Sequence, residues 1–229
     1  MAFLRRLVDD VRSGDSYALV LALLLASLVV AIVAPQTTLA RIVRDIVLSV
    51  TIVVTYWTAT RRRPSGLPGA LWPSIALVFV LVGALEGAKT HAVTAAIGAM
   101  LVGVVAWLVT RDLLRRGRVS QQTVFGALSL YVLLGMFFGF LYMFIADVTD
   151  AAFFARGDDG TSGEHLYYSF VAISTTGFGD LSPATGVGRA LTVLEIVLGQ
   201  LYLVTVVAVL VTTAADRRMQ ATRGLGADD

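Results

Sequence analysis

Long uncharged apolar runs, separated by short arginine clusters, limit the folds open to this chain more than any other feature of its sequence. A helix needs roughly 20 apolar residues to cross a hydrocarbon core about 30 Å thick. Six segments approach or reach that length, two of them by including charged residues in an outer turn. They are residues 17–34, 38–60, 64–85, 90–110, 119–146 and 189–213. We therefore predict an all-α membrane protein with six transmembrane helices.

The composition excludes the main alternatives to a membrane protein. Only 15% of the residues are charged and 57% are hydrophobic, whereas soluble domains carry about 25% charged residues. Disordered chains need low hydrophobicity and high net charge. Because the chain has no cysteine, disulfides, thiolate metal sites and cysteine nucleophiles are excluded together.

The basic residues predict how the chain is oriented in the membrane. If the N-terminus is cytoplasmic, 13 of the 18 basic residues fall in the cytoplasmic segments 1–15, 61–63, 111–118 and 214–229. Lysine and arginine are enriched on the cytoplasmic side of membrane proteins. An even number of crossings returns the chain to its starting side. We therefore predict a multi-pass protein of the cell membrane with both termini cytoplasmic.

The same pattern divides the chain into five segments. Residues 1–15 have an amphipathic pattern. We expect them to form a helix in the inner membrane interface, and the alternative is a solvated helical extension. Residues 16–110 form a four-helix transmembrane domain, 111–119 a basic linker, 120–213 a second membrane domain and 214–229 a short cytoplasmic tail. In the linker, the candidates for binding anionic lipids are Arg111, Arg115, Arg116 and Arg118, although basic clusters also serve only to fix topology.

One apolar stretch, residues 165–179, is too short to cross the membrane. Segments of 10–14 apolar residues are typical of re-entrant or buried elements. Non-helical backbone is tolerated at membrane depth only inside protein or beside a water-filled cavity. We therefore predict a short re-entrant helix over residues 165–174, followed by a non-helical segment.

That non-helical segment reads Thr-Thr-Gly-Phe-Gly-Asp and covers residues 175–180. Glycines at alternate positions allow backbone conformations that a Cβ atom would disfavour. Successive carbonyls can then point to one side, and four such strands around an axis form stacked rings of oxygen. Rings of this kind replace the hydration shell of a monovalent cation.

These residues resemble the selectivity filter of the potassium-channel pore-domain family, whose signature is commonly T-V-G-Y-G-D. The matching positions are Thr175, Thr176, Gly177, Phe178, Gly179 and Asp180, with Thr in place of Val and Phe in place of Tyr. The resemblance implies a homotetramer with an outer helix (119–146), a pore helix (165–174), a filter (175–180) and an inner helix (189–213). It also implies potassium ions bound at Thr175, Thr176, Gly177 and Phe178, no other cofactor, membrane lipids as partners and no nucleic acid.

Three residues outside the signature have predicted roles. Gly199 is at the position of the family's inner-helix hinge, although glycine also serves close packing in membrane helices. Tyr168 aligns with a pore-helix aromatic residue that hydrogen-bonds the filter aspartate, here Asp180. Glu195 is ionisable inside a span and so is a functional candidate. We expect it to support the pore helix through Ser169 or a tyrosine hydroxyl, and the alternative is a snorkelling or protonated acid at a subunit boundary.

Several functions are disfavoured. A voltage sensor needs regularly spaced arginines in its fourth helix, and residues 90–110 contain none. The Gly-x-Gly-Asp motif of intramembrane aspartyl proteases is met by Gly177 to Asp180, but the second aspartate that such an enzyme needs within a neighbouring span is absent. The motifs H-E-x-x-H and G-x-S-x-G are absent as well, so we do not expect an enzyme. His165 is expected to be a solvated loop residue. We predict a potassium-selective channel without voltage sensing by the fourth helix, and the alternative is a non-selective monovalent cation channel of the same fold.

Overall fold

A computed structural model describes residues 17–35, 37–60, 71–83, 88–115 and 120–225. The predictions for residues 1–15, Arg116 and Arg118, and the last four residues of the tail, fall outside the described residues.

Seven α-helices form the described part of the chain. They are α1 (Tyr17–Val33), α2 (Thr38–Thr60), α3 (Leu71–Gly83), α4 (Ala88–Arg115), α5 (Gln121–Val148), α6 (Ser162–Ile173) and α7 (Gly186–Leu225). The described ranges contain no β-strand, and their one isolated β-bridge joins Phe154 to Pro183. The predicted all-α class is therefore confirmed.

Three of the described helical segments are long and apolar enough to cross a membrane: His91–Arg115, Gln121–Val148 and Gly186–Val209. Helix α1 is apolar but has only 17 residues, and α3 has 13 within the described range. A membrane protein is therefore supported, and the six-span count and the orientation of the termini stay predictions.

Helix α5 is at the centre of the bundle, where it contacts α1, α4, α6 and α7. Its start is fixed by a capping box, in which the Ser120 side chain accepts from the Thr123 amide and the Thr123 side chain accepts from the Ser120 amide. Such reciprocal bonds satisfy amide groups that the first helical turn leaves unpaired. Tyr17 joins α1 to this end of the bundle, because its backbone amide donates to Gln122 and its hydroxyl to Asp112, both at 2.8 Å.

Helix α6 covers most of the residues for which a short re-entrant helix was predicted, and it begins a few residues earlier than the sequence indicated. A second capping box, made by Thr161 and Glu164, sets its first turn. It packs between α1, α5 and α7. Helix α7 begins before Arg189 and continues past Thr213 to Leu225, so it extends beyond the predicted inner helix at both ends.

Candidate functional site

We call residues 175–180 the TTGFGD segment. Its backbone φ angle alternates between positive and negative values from Thr175 to Gly179. Thr175, Gly177 and Gly179 have φ of 57°, 56° and 80°, and Thr176 and Phe178 between them have negative φ. An extended strand with uniformly negative φ points successive carbonyls to opposite sides. Alternating positive and negative φ instead turns successive carbonyls toward the same side. This alternation of φ is the backbone pattern expected for a row of carbonyl oxygens on one side of the segment.

Thr175 contributes to this alternation at an energetic cost. It is the one non-glycine residue with positive φ within the described ranges, and residues with a Cβ atom seldom adopt that conformation. Hydrogen bonds to the end of α6 hold it there, because the Thr175 amide donates to Ala172 at 2.8 Å and the Thr176 amide to Val171 at 3.0 Å. Unfavourable backbone conformations that are kept in this way cluster at functional sites.

The C-terminal end of α6 leads directly into the TTGFGD segment. The last carbonyls of a helix carry partial negative charge. Two neighbouring helices fix this end: Tyr131 on α5 donates its hydroxyl to the Ile173 carbonyl at 3.1 Å, and Gly199 on α7 lies against Ile173. A Cβ atom at Gly199 would overlap Cγ1 of Ile173. Gly199 therefore permits close packing here, and its role as a hinge stays a prediction.

The chain that leaves the TTGFGD segment is paired with the loop between α5 and α6. The Ala155 amide donates to Ser182 and the Ala184 amide to Phe153, both at 2.8 Å. Phe153 and Phe154 are 0% and 1% exposed and pack against the ring of Tyr168. Sequence reasoning missed this pairing because nothing in the local pattern of either segment indicates its partner.

The predicted hydrogen bond between Tyr168 and Asp180 is wrong, and the neighbouring tyrosine makes it instead. The Tyr167 hydroxyl donates to Oδ2 of Asp180 at 2.9 Å. The Tyr168 hydroxyl lies 2.7 Å from Oγ1 of Thr192 on α7. Adjacent helical positions point about 100° apart, so Tyr168 faces the buried aromatic cluster and Tyr167 faces the outer surface. Any support that Tyr168 gives to the segment acts through α7.

Glu195 is fully buried and makes the contact that the sequence indicated. Its Oε1 lies 2.5 Å from the Ser169 hydroxyl, and its Oε2 lies 2.6 Å from the Tyr142 hydroxyl. Ser169 is also 2.6 Å from the Gly135 carbonyl. Three helices thus meet at one carboxyl group. The sequence did not single out Tyr142, although a tyrosine hydroxyl inside an apolar span needs a partner and is a usable signal.

Charged groups in and beside the loop between α5 and α6 form a small network around Arg156. Its guanidinium contacts Asp158 at 2.8 Å and Glu164 at 2.6 Å. Hydrogen bonds to Asp158 and Glu164 raise the pKa of Arg156. Partial burial acts to raise the pKa of Glu164, but hydrogen bonds from Arg156 and Thr161 outweigh it and lower that pKa. Glu164 is therefore an ionised carboxylate that both caps α6 and pairs with the loop.

His165 is buried, so the expectation that it is solvated is wrong. Its side chain is enclosed because the loop folds Phe153 and Phe154 over it, each with a ring centroid 5.1 Å away. Its Nδ1 atom donates to the Thr161 carbonyl at 2.9 Å. Burial lowers the pKa of His165, against the opposing effects of that hydrogen bond and of nearby carboxylates.

Two of the four lipid-binding candidates lie in the described part of α4. Arg111 stacks over the Trp107 ring at 5.3 Å, and Trp107 is itself exposed. Arg115 is the last residue of α4. An aromatic residue next to a cation is typical of a helix end in the membrane interface, and lipid binding by these residues stays a prediction.

Comparison with known proteins bears on the second half of the chain. Residues 126–216 match the sequence model of the protein family described as "Ion channel". No curated protein matches the chain. The matched region includes α6, the TTGFGD segment and most of the described lengths of α5 and α7. It supports ion-channel function and disfavours an enzyme.

Proposed function

We propose that the chain is one subunit of a homotetrameric channel that conducts potassium passively across the cell membrane. In this proposal α5 is the outer helix, α6 the pore helix, the TTGFGD segment the selectivity filter and α7 the inner helix. The observation that carries the proposal is the alternating φ at Thr175, Gly177 and Gly179. This alternation supports the proposal because it would let successive carbonyls face one axis, as coordination of a dehydrated cation requires.

The surroundings of the segment in one chain support a multimer. Residues 174–180 are all exposed, and a Cβ atom at Gly177 or Gly179 would meet nothing within 4 Å. Backbone carbonyls cannot face lipid without a large penalty. Four copies around an axis would enclose the carbonyls and cover Phe178, which is 70% exposed in one chain.

Helix α7 offers a surface for that assembly. Only about a tenth of the most apolar stretch of Gly186–Val209 is buried within the chain. The exposed apolar residues include Val187, Val193, Leu194, Val197, Leu198 and Leu201. Part of this surface would contact neighbouring inner helices and the rest would contact lipid.

The proposed conduction mechanism depends on the TTGFGD segment and on the C-terminal end of α6. Carbonyl oxygens of Thr175, Thr176, Gly177 and Phe178, with the Thr175 hydroxyl at the inner end, would replace the water shell of potassium ions. The negative ends of four pore helices would stabilise a cation arriving from the cytoplasmic side. Adjacent ions would then move by mutual repulsion between closely spaced sites.

Purified protein in planar bilayers tests this proposal. Under opposed potassium and sodium gradients, we expect the current to reverse close to the potassium equilibrium potential. Reversal near zero under the same gradients would favour the non-selective cation channel instead. No current from correctly folded protein would refute both.

The Gly177→Ala variant tests whether the segment itself conducts. Alanine at φ 56° is strained, so we expect loss of current without loss of the folded chain. Gly186→Ala is the matched control, because a Cβ atom there also meets nothing within 4 Å and the residue does not have positive φ. Equal currents from the two variants would argue against the proposed filter.

A further inference from the structure

The hydroxyl groups around Glu195 make more close contacts than their own hydrogens can supply. Five contacts of 2.9 Å or less are found here, three of them among Glu195, its two hydroxyl partners and the Gly135 carbonyl, and two around the neighbouring Thr192. They are Ser169–Gly135 carbonyl (2.6 Å), Ser169–Glu195 (2.5 Å), Tyr142–Glu195 (2.6 Å), Tyr168–Thr192 (2.7 Å) and Thr192–Gly188 carbonyl (2.9 Å). Each contact needs one hydrogen, and carbonyl oxygens only accept.

A hydroxyl donor can be assigned to four of the five contacts. Thr192 must donate to the Gly188 carbonyl, so Tyr168 donates to Thr192. Ser169 must donate to the Gly135 carbonyl. Tyr142 donates to Oε2 of Glu195. These bonds use the single hydrogen of each hydroxyl, and the 2.5 Å contact between Ser169 and Oε1 of Glu195 is left without one.

We propose that Glu195 is a neutral carboxylic acid that donates its own proton to Ser169 and so locks the inner helix to the pore helix. If Glu195 were ionised, no hydrogen would lie between its Oε1 atom and the Ser169 oxygen, and the lone pairs of these two atoms would repel each other at 2.5 Å. With the proton on Oε1, every polar atom in the group has a partner. The protonation state follows from the contacts alone, whereas the effect on the filter rests on the proposed function.

The surroundings of Glu195 favour the neutral form. Its side chain is 0% exposed, and a buried carboxylate without a countercharge is unfavourable. Among the described residues, no lysine, arginine or histidine pairs with it. The titratable groups that face it are tyrosines, namely Tyr131 and Tyr142 from α5 and Tyr168 from α6.

The position of this bond gives it a mechanical role. Glu195 meets Ser169, and one helical turn further along both helices Gly199 meets Ile173. The two helices are therefore aligned by two contacts four residues apart. Ile173 directly precedes the turn into the TTGFGD segment. A shift of α7 along α6 must break the Glu195–Ser169 bond before it can displace the filter entrance, so Glu195 is a positioning residue.

Infrared spectroscopy of purified tetramer tests the protonation state directly. The difference spectrum between the parent protein and Glu195→Gln at about neutral pH should contain the C=O stretching band of a protonated carboxylic acid. Glu164→Gln is the matched control, because Glu164 is paired with Arg156, and its difference spectrum should contain carboxylate bands. Carboxylate bands lost in Glu195→Gln would overturn the proposal.

Measurements of thermal stability and of current test whether the Glu195–Ser169 bond holds α7 against α6; we call this bond the lock. A glutamine amide can donate to Ser169 and accept from Tyr142, so Glu195→Gln should keep the thermal stability and the open-state lifetime of the parent. Glu195→Val and Ser169→Ala should lower the unfolding temperature and shorten openings. Ser129→Ala is the control, because that buried hydroxyl bonds only within its own helix.

The outcomes separate this proposal from the proposed function. If Glu195→Val and Ser169→Ala behave like Ser129→Ala, the lock is refuted whatever the ion selectivity. If Glu195→Gln is as damaging as Glu195→Val, the neutral acid is refuted. A channel that proves non-selective would leave the infrared result unaffected.

Discussion

The Tyr167 hydroxyl donates to Oδ2 of Asp180 at 2.9 Å and so ties the last residue of the TTGFGD segment to the helix that precedes it. Both residues are near the surface, where water competes for the same hydrogen bond, so its contribution to folding stability is small. We expect Tyr167→Phe to leave folding almost unchanged and, if the TTGFGD segment is the proposed filter, to speed the decay of current during sustained opening, because Asp180 loses a restraint.

Tyr168→Phe is the comparison variant for that measurement. It removes a hydroxyl that bonds Thr192 rather than Asp180, so we expect a lower unfolding temperature with less effect on current decay. If Tyr168→Phe speeds the decay more than Tyr167→Phe does, Asp180 is not held in the way that these contacts indicate.

Phe153 connects the loop between α5 and α6 to the chain that follows the TTGFGD segment. Its side chain is 0% exposed and its carbonyl accepts from the Ala184 amide. Truncating a buried phenylalanine typically costs about 3–5 kcal/mol. We expect Phe153→Ala to lower the unfolding temperature strongly, whereas Trp107→Ala, at an exposed aromatic residue, should change it little. Comparable unfolding temperatures would show that Phe153 contributes little to holding this loop against the chain that follows the TTGFGD segment.

His165 should make stability depend on pH. Burial lowers its pKa in the folded chain below the ordinary value of 6.5, so the unfolded chain binds this proton more readily than the folded chain. The stability contribution is then complete above about pH 6.5 and is lost as the pH falls toward the folded pKa. His165→Gln should remove that part of the acid sensitivity, which thermal unfolding at about pH 7 and about pH 5 would measure. Identical losses in the parent and the variant would contradict this role.

Local sequence was enough to predict much of the candidate site. The apolar run before Thr175 predicted α6, and the alternating glycines predicted the unusual backbone that Gly177 and Gly179 adopt. A lone acid in an apolar span predicted that Glu195 needs hydroxyl partners. In each case the deciding physics lies within a few residues or in the cost of burying a polar group.

What the sequence did not predict depends on contacts between distant segments. His165 is buried because Phe153 and Phe154 fold back onto it, and neither residue signals that from its own neighbourhood. The choice between Tyr167 and Tyr168 depends on helix rotation, since one position separates a surface tyrosine from a buried one. A pattern of residue types resolves neither question.

Helix α4 predicts how conduction depends on voltage. Each elementary charge that moves across a potential of 100 mV contributes about 2.3 kcal/mol, and steep voltage dependence needs several such charges in every subunit. Residues 90–110 within α4 contain no arginine or lysine, and the basic residues Arg111 and Arg115 lie in its last turns. We expect a shallow conductance–voltage relation, equivalent to fewer than about one gating charge per subunit. Single-channel recordings over a wide voltage range measure the slope of this conductance–voltage relation.

A matched Arg111→Gln variant shows whether the basic end of α4 contributes to that slope. Arg111 should affect lipid dependence and leave the slope unchanged. A steep relation that flattens in this variant would show that charges at the end of α4 move through the field, and that the fourth helix senses voltage despite its apolar centre.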